Sequence, residues 1–177
     1  MIMTKFISPL ATGFLKSLLF IIAILPLASC GNDDEPEPAP APNPGGAEFI
    51  FSGTTTTYPV DAPESIYTST KSTYTVAVAK DVESAVMCIQ NADFLQGMPQ
   101  LGEMLFQPIT CSFDETANTL SLSSSAITPE IAGRPFPAFP ITDYTATLIP
   151  GKSISLTFIC TYRGTPYSVN FTGTPAE

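Results

Sequence analysis

The chain has 177 residues, 44% of them hydrophobic, and a formal charge of −9 from sixteen acidic and seven basic side chains. So few, dispersed cations exclude a phosphate-backbone footprint, and no nucleic-acid partner is expected. There is no histidine and no tryptophan, which removes Ser-His-Asp and Cys-His catalysis together with the commonest zinc ligand.

Residues 1–29 have the pattern of a secretory signal. Lys5 and Lys16 supply a positive start, Leu18 to Leu25 an apolar core, and Ala28 and Ser29 a small-residue approach to Cys30. The apolar run falls well short of the roughly 20 residues that a membrane-spanning helix needs. Pro36, Pro38, Pro40, Pro42 and Pro44 then alternate with Glu, Ala and Asn. A stretch with few amide donors and no apolar face cannot pack, and it favours extended polyproline II at roughly 3.1 Å per residue. Residues 31–46 would thus reach on the order of 50 Å, ending at Gly45-Gly46 as an expected flexible joint.

Leu27-Ala28-Ser29-Cys30 resembles the lipobox of bacterial lipoproteins at every position. The resemblance implies cleavage before Cys30, acylation of its thiol and amine, and so a partner in the membrane lipid itself. More than one acyl chain makes such anchoring stable, at about 0.8 kcal/mol per buried CH₂. Gly31-Asn32-Asp33-Asp34-Glu35 resembles the acidic export signal of Bacteroidetes-type surface lipoproteins. That likeness implies an outer-membrane location with the chain facing the cell exterior, and it gives Asp33, Asp34 and Glu35 the role of an export signal. The alternative is that these three acids only solubilise a tether.

The expected organisation is a signal peptide over 1–29, a lipidated acidic and Pro-rich tether over 30–47, and one domain over 48–177. From Cys30 onward sixteen acidic residues face five basic ones, a formal −11.

Within the domain, period-two alternation dominates. Glu48–Tyr58 opens with Phe49-Ile50-Phe51 and runs into β-favouring threonines. Tyr74–Val78 alternates, and Ala85–Ile89 is apolar throughout, as in a strand buried on both faces. Phe94–Met104 spaces its apolar residues almost as a helix would, but Gly97, Pro99 and Gly102 leave room for one short turn at most. Leu120–Leu122, Tyr144–Leu148, Ile154–Tyr162 and Tyr167–Phe171 alternate again. Asp114–Asn118, Pro150-Gly151 and Arg163-Gly164-Thr165 are the turn signals, while Gln96–Leu101 and Pro129–Pro140 read as irregular.

Eight or nine short strands joined by hairpins predict an all-β fold. The form expected is an antiparallel meander closed into a barrel of about eight strands, since closure removes unpaired edges; a β-sandwich is the alternative. With the lipobox, the acidic stalk, the size and the hairpin succession, the domain resembles small calycin-like (lipocalin-like) β-barrel lipoproteins of the same bacteria. It lacks the lipocalin Gly-x-Trp signature, having no tryptophan. The resemblance implies that a small apolar or glycan-like ligand enters the barrel's mouth.

Few side chains carry a chemical reading. Cys111 and Cys160 fall on core faces, as small buried hydrophobes or as a bridge between neighbouring strands; Cys88 completes the set. Ala146–Ser153 fits a relaxed phosphate-loop pattern, but Pro150 lacks an amide donor and an alternating strand follows. The acidic pairs Asp81/Glu83 and Asp114/Glu115 would suit a carboxylate glycosidase, yet both flank turns. No enzyme, metal or cofactor is expected. Arg134-Pro135-Phe136-Pro137-Ala138-Phe139-Pro140 is the candidate contact. Arg134, Phe136 and Phe139 on a proline-stiffened loop would meet a ligand or an envelope protein, or else the two phenylalanines cap the barrel. The two functional expectations are a surface-tethered module for a small molecule and a non-enzymatic accessory subunit of an outer-membrane assembly.

Overall fold

In the computed structural model of the protein, residues 41–177 are described. Cys30, Asp33, Asp34 and Glu35, and with them the signal, lipobox and most of the stalk, lie outside the described residues. The strands in chain order are β1 (Glu48–Pro59), β2 (Tyr67–Ser69), β3 (Thr73–Val78), β4 (Ser84–Ala92), β5 (Leu101–Asp114), β6 (Thr119–Ile127), β7 (Glu130–Ile131), β8 (Arg134–Pro135), β9 (Ile141–Ile149), β10 (Ser153–Tyr162) and β11 (Thr165–Pro175). All pairings are antiparallel.

Eight strands close a ring in the order β1, β3, β4, β5, β6, β9, β10, β11 and back to β1. The expected closed meander is therefore what forms, and the sandwich alternative is set aside. Three short strands are accessories. β2 lies on the far half of β1, Thr55–Thr57, where β3 has ended. The β7–β8 hairpin sits on β5 at Met104 and Leu105.

Alternation decides which residues face inward. On β10, Ile154, Leu156, Phe158 and Cys160 are buried. On β4, Ala85, Met87 and Ile89 are buried, while Val86 and Cys88 remain partly exposed. This corrects the expectation that Ala85–Ile89 is buried on both faces: a strand in a single-walled barrel has only one inner face. Cys111 on β5 and Cys160 on β10 are both buried free thiols. β6 and β9 stand between their strands, so the bridge between neighbouring strands is not formed.

The turns follow their chemistry. Gly151, at φ +68°, and the bond from the Lys152 amide to the Ile149 carbonyl (3.0 Å) fit a type II turn. Arg163 and Gly164 both have positive φ, as a two-residue type I′ hairpin requires. The Asp114 carboxylate accepts hydrogen bonds from the Thr116 and Ala117 amides at 2.9 and 3.0 Å, and that of Asp81 from the Glu83 amide at 3.1 Å. These carboxylates thus order exposed turns.

The barrel has two unlike ends. At one end three short turns (79–83, 115–118 and 150–152) join adjacent strands. The chain also enters there: the Gly46 amide donates to the Val78 carbonyl (3.1 Å), and the Val78 amide to the Ala47 carbonyl (2.9 Å). Gly45-Gly46 is thus docked on the barrel instead of acting as a joint, and a Cβ on Gly45 would stand 2.5 Å from the Lys80 carbonyl. At the opposite end lie the long connections 60–72, 93–100 and 128–140.

Candidate functional site

A ligand entering the barrel's mouth is the expectation, and the packing of the interior bears on it. Tyr74 stacks on Phe171 with ring centroids 3.7 Å apart, and the Tyr74 hydroxyl lies 3.0 Å from the Thr55 hydroxyl. Phe158 meets Phe94 and Phe106 edge-on at 5.7 and 5.3 Å, and Phe106 meets Tyr144 at 6.2 Å. These rings are at most 1% exposed. The interior is filled by side chains from every barrel strand, as eight-stranded barrels of this width allow. Burial pushes the Cys160 thiol up to about 12 and raises the Tyr74 and Tyr144 hydroxyls well beyond the physiological range, so these groups stay neutral.

The long-connection end is plugged. Phe94, from the β4–β5 connection, stacks against Phe139 at 6.0 Å, and Phe139 leans on Tyr162 at 6.2 Å. Phe139 is 1% exposed and Phe136 is 38% exposed. The two phenylalanines expected to act together are therefore separated: Phe139 caps the core and Phe136 faces solvent, as does Arg134. Backbone geometry separates them, since the Phe139 amide bonds to the Phe136 carbonyl (3.2 Å) and turns the chain inward.

Beside the plug sits a polar cluster that sequence reading missed. Asp93 is 5% exposed. Its carboxylate accepts hydrogen bonds from the Tyr67 and Ser69 hydroxyls, each at 3.0 Å, and pairs with the Lys71 ammonium at 3.0 Å. The Asp93 amide donates to the Ser72 hydroxyl, which donates to the Asn91 carbonyl. Burial alone would raise the Asp93 carboxyl, but the bonds from Lys71, Tyr67 and Ser69 outweigh it and hold the group below its ordinary value. Lys71 is raised by the same contact, while Tyr67 is raised by burial first and by Asp93 second. The cluster clips β2 and the 70–72 connection onto the plug.

Among the described residues, three depressions stand out on the outside. Two, of about 470 and 370 Å³, are open furrows on the outer wall across β9, β10 and β11, faced by hydroxyls such as Thr147, Ser155 and Thr172. The third, of about 420 Å³, lies on the rim at the long-connection end. Tyr58, Tyr67 and Tyr167 contribute to its walls, with Glu64, Ile66 and Gln96 from the connections. Thr57 also lines it, and the buried Thr57 hydroxyl has no hydrogen-bond partner.

No family model matches the chain, and no curated protein matches it. Among solved structures, the fold is similar to that of a Bacteroides fragilis protein named "putative outer membrane protein". The TM-score is 0.51 at 11% identity, over 73% of this chain and 50% of the other. The chain thus spans about half the length of the structure it matches. At this identity the likeness is one of fold.

Proposed function

We propose that this protein is a non-enzymatic, lipid-anchored envelope module, tethered through Cys30, that works from the long-connection end of its barrel. The observation that carries the reading is the polarity of the barrel. The stalk joins at the short-turn end, the interior is filled, and the long connections with their groove gather at the far end. A tether at one pole leaves the opposite pole presented. The name of the structural neighbour supports an envelope location, and the acidic Asp33-Asp34-Glu35 supports the cell exterior.

A second reading, an accessory subunit that contacts another envelope protein, draws support from the same pole. Val60, Ile66 and Phe136 are exposed there at 48%, 63% and 38%.

Fractionation of Cys30→Ala tests the anchor. The expected result is uncut or soluble chain, and membrane association unchanged by the substitution would overturn it. Protease or antibody access on intact cells tests the orientation. Epitopes placed in the 128–140 connection should be reached on whole cells, and protection of that segment would overturn the outward-facing reading.

A further inference from the structure

We infer that the rim groove binds a neutral sugar residue. The inference rests on the reading of the long-connection end as the working surface, and it names the ligand class there. The groove's volume, about 420 Å³, lies within the range of small-molecule sites. Its chemistry narrows the choice. The lining includes one carboxylate, Glu64, and no cation, so an anionic ligand would meet repulsion without compensation. Only Pro59, Ile66 and Leu95 among the lining residues are wholly apolar, too little surface for an acyl chain.

Tyr58, Tyr67 and Tyr167 combine ring faces with hydroxyls. Such groups suit the mixed C–H and O–H surface of a sugar, and Glu64, Ser65 and Gln96 add acceptors and donors at the margin. No two of these three tyrosines form a close ring pair among the aromatic contacts found. A tight aromatic cage of the kind that holds a quaternary ammonium is therefore less well matched.

One feature indicates a built site. Tyr67 is fixed by its bond to Asp93 at 3.0 Å and by strand pairing with Thr57, so little ordering is left to do on binding. Thr57, in the lining, also has a hydroxyl with no partner, but it is closed to solvent and lies out of a ligand's reach.

The test uses the full-length chain extracted in detergent. The probes are glucose, galactose, mannose, N-acetylglucosamine, lactose and cellobiose at millimolar concentrations, with choline chloride and inorganic phosphate as charged probes. Saturation-transfer NMR detects contact. Tyrosine emission gives the isotherm, since the chain has no tryptophan and three of its six tyrosines line the groove. At least one sugar should bind saturably. Gln96→Ala should weaken it about tenfold, and Ser65→Trp, which fills the groove from an exposed position, should abolish it, both with unchanged melting temperature. Choline or phosphate bound in place of sugar, and blocked by Ser65→Trp, would overturn the ligand class but keep the working end. Sugar binding untouched by both substitutions would overturn the groove and remove this support for that end. No binding by any probe would overturn the inference.

Discussion

The two ends of this barrel obey different rules. At the short-turn end the interior closes with apolar residues alone, Leu120, Leu148, Ile154 and Val78 among them. Among the described residues the five buried polar ones, Thr55, Thr57, Ser69, Ser72 and Asp93, all lie toward the other end. Three of the four large hydrophobics exposed among the described residues, Val60, Ile66 and Phe136, lie there too. One end thus carries hydrophobic residues inside and turns outside, as stability asks. The other buries polar groups and exposes apolar ones, a departure that concentrates where proteins make contacts.

The contrast can be pressed by substitution. The largest effect is expected at the plug: Phe139→Ala should cost about 3–5 kcal/mol in denaturant unfolding, as for other buried aromatic rings. Next comes the waist near the short-turn end. Gly53 and Gly173 face each other across β1 and β11, and a Cβ on Gly53 would stand 2.1 Å from the Thr172 carbonyl oxygen. Gly53→Ala should cost about 1–3 kcal/mol through overpacking.

Asp93→Asn should cost about 1–3 kcal/mol at neutral pH, because it weakens several bonds to one buried carboxylate. The sign with pH follows from the depressed carboxyl. Its contribution is fully present above the unfolded value near 3.8 and is lost as pH falls through the lower folded value. Urea midpoints of wild type and variant should therefore converge in acid; a constant gap would break the account of this end. Gly151→Ala, at positive φ in a short turn, should cost about 1 kcal/mol. Phe136→Ala should move stability by less than about 0.5 kcal/mol. Equal costs for Phe136 and Phe139 would erase the distinction drawn between them.

The regular wall of the barrel was legible because alternation survives in single strands. Tyr74–Val78, Ile154–Tyr162 and Tyr167–Phe171 each carry their inner face openly. β5 was harder. Met104, Leu105 and Phe106 are consecutive apolar residues, and Gly102 and Pro108 interrupt the run. Only the pairing shift between Ala85 and Met87, opposite Pro108, shows how a residue without an amide donor fits a strand. The Asp93 cluster was hidden by distance: Tyr67 and Ser69 reach it from more than twenty residues away. One signal was present, an aspartate set among Ala92, Phe94 and Leu95, since a lone acid in an apolar run needs partners. Phe136 and Phe139 could not be told apart, because a proline-rich loop has no period from which to read a face.

Pairing of β1 with β11 has a consequence for how the molecule comes into being. Thr54 meets Thr172 across the seam, more than a hundred residues along the chain. A polypeptide made from its amino end presents β1 long before its mate. Until β11 emerges, the ring stays open and the Phe171 ring that stacks on Tyr74 is absent. Local hairpins can form meanwhile, but the loop that must close is among the longest the chain offers, which slows the final step. The topology therefore keeps the barrel unsealed until the last strand is available.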